Sequence, residues 1–146
     1  MPGEGNKIAS FDTERVLEAW ATAWSSHDTE RVLSLFTDDC LYEDVTFGVI
    51  NRGKKELRAF ADSVFVGIPD FKVDLTTRFG AGTWAGMEWV MSGTHKGDFP
   101  GMPATGKHFS TRGVTILELQ AGKIRRNSDY WDAASVMRQI GLLPPL

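Results

Sequence analysis

The chain has 146 residues and a single cysteine, Cys40, so it can form neither an internal disulfide nor a cysteine-based zinc cluster. It lacks any apolar run near the roughly 18 residues that a membrane helix needs. Its opening residues, MPGEGNKIAS, lack the apolar stretch of a signal peptide, so a cytoplasmic address without a membrane partner is expected. Basic residues are not in excess: 16 Lys and Arg against 19 Asp and Glu leave a net charge of −3, which argues against a nucleic-acid partner. The three histidines, His27, His95 and His108, do not fall at ligand spacing such as i and i+4, and neither a metal nor any other cofactor is implied. GMPATGK contains Gly and Lys but lacks the GxxxxGK pattern, so it is not a phosphate loop.

What the chain does have is aromatic bulk: nine Phe, five Trp and two Tyr, more than a core of this size requires, which points to a cavity. The length and an apolar fraction of 42% fit one domain, read as residues 10–146 behind a flexible tail of residues 1–9. Val16, Leu17, Trp20, Ala21 and Trp24 recur at helical spacing from an N-cap at Asp12. A second, shorter helix starts at Asp28 and buries Val32, Leu33, Leu35 and Phe36 before a turn at Thr37, Asp38 and Asp39. Cys40 to Asp44 reads as a strand, and about Lys54 to Phe65 as a third helix burying Leu57, Phe60, Ala61 and Val64. Four strands follow: FKVDLTTRF, TWAGMEWVMSGTH, HFSTRGVTILELQ and KIRRNSDYW, with hairpins at Gly80–Gly82 and Ala121–Gly122. A closing helix over residues 133–140 is capped by Asp132.

Helices first and a strand meander afterwards predict an α+β fold, with a curved, largely antiparallel sheet closing over the helices. The long strands carry apolar residues on both faces: Met87, Trp89 and Met91 alternate with Trp84 and Val90. One face is expected to cover the helices, and a homodimer through the outer face is expected to cover the other.

Candidate chemistry comes from carboxylates that caps and turns do not explain, namely Asp44, Glu88, Glu118 and Asp129. Asp129 shares the odd-numbered face of the last strand with Asn127 and Trp131, a polar pair bounded by an aromatic ring. Enclosed by apolar walls, it would have its pKa raised toward neutrality and could exchange protons near pH 7. Its alternative is a surface aspartate paired with Arg125 or Arg126. Asp44 is the rival base, or else a turn carboxylate, and Glu88 and Glu118 are expected in rim salt bridges. Cys40 reads as core. His95 is a candidate to hydrogen-bond a ligand, and Trp20, Trp24, Trp89 and Met91 are candidate walls for a flat apolar one, core packing being the alternative.

The segment GTHKGDFPGMPATGKHFS, with GVTILELQAGKIRRNSDYWD and MRQIG after it, resembles the SnoaL-like polyketide cyclases of the nuclear transport factor 2 superfamily. The resemblance implies a conical α+β barrel of three or four helices wrapped by a curved sheet around an apolar pocket. It also implies cofactor-independent aldol closure of a small carbonyl compound, with Asp129 as the acid/base. Where that family places a pocket histidine this chain has Thr115. The related ketosteroid isomerases would instead place their base at Asp44, with Trp20 where their tyrosine stands, and non-catalytic binding or dimerisation modules share the fold.

Overall fold

The computed structural model describes residues 2–97 and 102–146, with side chains from residue 13 onward; Met1 and residues 98–101 of the Pro/Gly-rich loop lie outside the described residues. The elements run α1 (Pro2–Ser26), α2 (Thr29–Leu33), β1 (Phe36–Asp44), β2 (Val49–Arg52), α3 (Gly53–Gly67), β3 (Lys72–Ala81), β4 (Trp84–Thr94), β5 (His108–Gln120), β6 (Lys123–Trp131) and α4 (Ala133–Gln139). The six strands form one curved, unclosed sheet in the order β2-β1-β6-β5-β4-β3, so β2 and β3 are its free edges. Every neighbouring pair is antiparallel except β1 and β6, the first long strand and the last, which run in the same direction.

α1 buries Leu17, Trp20, Ala21 and Trp24, spaced three and four apart, against the concave face of the sheet. Its helical backbone extends back to Pro2, through the stretch read as a tail and past Asp12, which is therefore not an N-cap. His27 ends the helix with a left-handed backbone, φ 60°. Asp28 then caps α2, its carboxylate accepting from the Arg31 amide at 3.2 Å. α2 is shorter than its apolar spacing predicts. Phe36 opens β1 instead, and the expected turn at Thr37–Asp39 is extended strand. The backbone amide of Ile124 donates to the Leu35 carbonyl at 2.8 Å, which draws this segment into the sheet before the helix can continue. β2 is too short to show an alternation and is not evident in the sequence.

On β4 and β5 the odd-numbered residues face inward: Ala85, Met87, Trp89, Phe109, Thr115 and Leu117 are buried. The even-numbered face leaves Trp84 exposed, and Phe79 and Tyr130 are exposed as well. Glu88 pairs with Arg112 at 3.5 Å on that outer surface. At the other end Asp132 caps α4 by accepting from the Ser135 amide at 2.9 Å. Gln139 clamps α4 to β5, accepting from the Ser110 amide at 2.8 Å and donating to its carbonyl at 2.9 Å. This sets Val136 and Ile140 over the open end of the sheet, where they help to line a cavity.

Candidate functional site

The inner face and the helices surround a cavity that opens to solvent at one mouth. Its walls include Trp20 and Trp24 from α1, Phe60 and Val64 from α3, Trp89 and Met91 from β4, Phe109 from β5, Trp131 from β6, and His95. Tyr42, Asp44 and Asp129 bring the polar groups. Trp20 stacks on Trp89 with ring centroids 6.3 Å apart, and Trp24 packs among Tyr42, Phe60, Phe65 and Phe71.

Asp129 is 6% exposed, and its carboxylate is held by neutral donors only among the described residues. Oδ1 accepts from Thr115 Oγ1 at 2.6 Å and from Asn127 Nδ2 at 2.8 Å, and Oδ2 accepts from Tyr42 Oη. Two of these donors are themselves fixed by indoles: Trp89 Nε1 donates to Thr115 Oγ1 at 2.8 Å, and Trp20 Nε1 donates to Asn127 Oδ1 at 2.8 Å. The expected alternative, a partnership with Arg125 or Arg126, does not occur; Arg125 lies 3.8 Å from Asp39. Burial raises the Asp129 pKa from 3.8 to about 6, against the opposing pull of the Thr115, Tyr42 and Asn127 donors, and the Asp44 charge adds to the rise.

Asp44 stands opposite Asp129 in the parallel register and is 5% exposed. Trp131 Nε1 lies 3.1 Å from each of its oxygens, and the Phe47 amide donates to Oδ1 at 2.9 Å, closing the turn that leads to β2. Burial raises its pKa too, with the Phe47 and Trp131 donors holding it back. Of the residues singled out in the sequence, Trp20, Trp24, Trp89, Met91, His95 and Trp131 line the cavity with both aspartates, whereas Thr115 and Asn127 are fully buried behind Asp129. His95 is 2% exposed, with Nδ1 3.1 Å from Thr105 Oγ1. Among the described residues no group of three or more His, Cys, Asp or Glu is placed to hold a metal ion.

Tyr42 is the residue that sequence reasoning missed. The signal was available: Cys40, Tyr42 and Asp44 alternate on one strand, so a strand that buries Cys40 and Asp44 buries Tyr42 with them. Burial and then the Asp129 charge push its phenol pKa well above 10, so Tyr42 keeps its proton and remains a hydrogen-bond donor at any physiological pH.

Residues 14–140 match the family described as SnoaL-like polyketide cyclase. The chain belongs to that family. One relative, cyclase aurE of Calcarisporium arbuscula, is 30% identical over 104 residues, which cover 70% of this chain and 74% of that protein. The aklanonic acid methyl ester cyclase DnrD of Streptomyces peucetius is 37% identical over 60 residues, 41% of each chain. The match thus spans about two fifths of the length of the Streptomyces cyclases. A protein of ketosteroid isomerase-like fold from Catenulispora acidiphila, solved in complex with trimethylamine, superposes with a TM-score of 0.80 at 26% identity, covering 90% of this chain and 95% of that one.

Proposed function

We propose that this SnoaL-like protein performs cofactor-independent acid/base catalysis on a small apolar carbonyl compound, most simply the intramolecular aldol closure of a polyketide-like ester. The observation that carries the reading is Asp129: a buried carboxylate with a pKa near 6, aimed at an aromatic cavity and held by neutral donors. Such a group is ionised at neutral pH yet still basic enough to take a proton from a carbon flanked by two carbonyls. The C–H electron pair delocalises onto a carbonyl oxygen, the enolate carbon attacks a second carbonyl to form the ring bond, and the new alkoxide recovers the proton from Asp129. The relatives named as cyclases support this reading. Cytoplasmic location and a homodimer closing over Phe79, Trp84 and Tyr130 belong to the same proposal.

Asp44 keeps a second reading in play because it lines the same cavity at the same burial. Its hydrogen bonds from the Phe47 amide and the Trp131 indole give it the structural task of closing the turn that leads to β2. Separate Asp129→Asn and Asp44→Asn variants, assayed for α-proton exchange into deuterated water on a polycyclic β-keto ester and a Δ5-ketosteroid, decide between them. Asp129→Asn is expected to lose about 10²- to 10⁴-fold, and Asp44→Asn to stay within a few-fold of the parent. Exchange that survives both substitutions would remove both carboxylates as the base, whereas a binding module would show ligand-induced thermal stabilisation with no exchange in the parent.

A further inference from the structure

Proton transfer to Asp129 moves a negative charge from the carboxylate to the substrate oxygen, and that oxygen needs a donor in a cavity with little water. The indole N–H groups of Trp20, Trp89 and Trp131 already have acceptors in Asn127, Thr115 and Asp44. The Tyr42 hydroxyl differs, because its acceptor is Asp129 Oδ2, the group whose charge the reaction changes. It also lines the cavity, so a ligand that reaches Oδ2 meets Oη as well.

Resting on the reading of Asp129 as the base, we propose that Tyr42 is a catalytic donor that follows the charge: its O–H points to Asp129 while the carboxylate is ionised and turns to the enolate oxygen once Asp129 has taken the proton. The order of events balances without any further reactant. The substrate C–H bond breaks, its proton goes to Oδ2 and its electron pair to the carbonyl oxygen. Oδ2, now carrying a proton, is a poorer acceptor than the enolate, and the Tyr42 O–H bond stays intact throughout. The geometry gives the switch a single pivot. Oδ1 keeps its Thr115 and Asn127 donors, so the carboxyl group need not move when the phenol hydrogen turns.

Asp129→Asn mimics the state after proton transfer. With its oxygen facing Thr115 and Asn127, the amide puts an N–H₂ group where Oδ2 stood, and Tyr42 must stop donating there. The probes are 4-substituted phenols, graded in acidity at constant shape, standing in for the enolate oxygen. The D129N protein is expected to bind them about 10- to 100-fold more tightly than the parent, increasingly so with probe acidity. The D129N/Y42F protein is expected to lose that gain. A gain kept in the double variant would assign the donor elsewhere, for instance to the buried Trp24 indole, and overturn the proposal while leaving Asp129 as the base. The converse failure reads out separately, as α-proton exchange that persists in D129N.

A measurement on the native side chains guards against misfolding of the double variant. The chain has two tyrosines, so 3-fluorotyrosine labelling gives two ¹⁹F signals, one from Tyr42 and one from the exposed Tyr130. Phenol binding to labelled D129N is expected to shift the Tyr42 signal and leave that of Tyr130 in place. A Tyr42 signal that does not move overturns the switch.

Discussion

Tyr42 and Asp129, 87 positions apart in the chain, meet across the seam where β1 and β6 run parallel, the phenol donating to the carboxylate. The register there sets Tyr42 opposite Asn127 and Asp44 opposite Asp129, so one pairing event assembles the polar end of the cavity. Neither strand has the site alone. The acidic centre therefore exists only once the first and last long strands have joined, which ties its geometry to the completion of the fold.

Asp129 makes a specific mark on stability. Its folded-state pKa of about 6 lies above the usual carboxylate value of 3.8, so between those limits the folded chain binds the proton that the unfolded chain releases. Folding stability from this group is fully present at low pH and is lost as pH rises toward and past 6. At about 1.4 kcal/mol per pKa unit the loss by pH 7 is about 3 kcal/mol. Denaturant titrations of the parent and of Asp129→Asn at pH 4, 5.5 and 7 are expected to show that difference opening in favour of the Asn variant. Parallel curves would mean that the carboxylate is solvated.

Much of this was legible in the sequence, for reasons that differ by element. α1, α3 and the strands from β3 to β6 carry a clear period of 3.6 or 2, because each has one face on the core and one outside. Asp129 stood out because Asn127 and Trp131 share its face of β6. What could not be read was pairing between distant strands. Alternation shows which residues of β1 point inward but not that β6 lies beside it, so the partnership of Tyr42 with Asp129 was invisible. The Thr37–Asp39 stretch misled for a related reason: its polar side chains resemble a turn, but its backbone runs extended between the β6 pairings of Phe36 and Leu41, across an irregularity in the register.

Thr115 stands between an indole and the acid, donating to Asp129 and accepting from Trp89. Thr115→Val keeps the shape and removes both bonds. The loss leaves Trp89 Nε1 buried without an acceptor and is expected to cost about 1–3 kcal/mol of stability. The carboxylate, short of one donor, is expected to titrate higher, so activity that needs its ionised form should begin at higher pH. Thr115→Ser restores the hydroxyl and should restore both the pH profile and the stability. A Val variant whose profile matches the parent's would remove Thr115 from the network.

Gly113 makes room for the Trp89 ring. A Cβ there would lie 2.3 Å from Cη2 of Trp89, so the indole must shift and its hold on Thr115 is disturbed. Gly113→Ala is expected to lower stability by about 1–3 kcal/mol through this overpacking. The acid limb of the activity profile should shift upward in the same direction as for Thr115→Val. Thermal unfolding checks the first effect and a pH series the second. A variant as stable as the parent would show that the ring has space to yield.

The Trp131–Asp44 contact separates the two candidate bases by the direction of a shift. Trp131→Phe retains a ring for the edge-on packing with Phe47, at 4.9 Å between centroids in the parent, but removes the N–H that both Asp44 oxygens share. Burial then pushes the Asp44 pKa further up, because one of the donors opposing it is gone, and Asp44 holds its charge over a narrower pH range. Asp129 feels the Asp44 charge as an upward push, so a more neutral Asp44 lets the Asp129 pKa fall. With Asp129 as the base, the acid limb of α-proton exchange in Trp131→Phe should move to lower pH. With Asp44 as the base it should move to higher pH, since the group that must ionise has become harder to ionise. A limb shifted upward would therefore transfer the catalytic role from β6 to β1, whatever the variant's rate at a single pH.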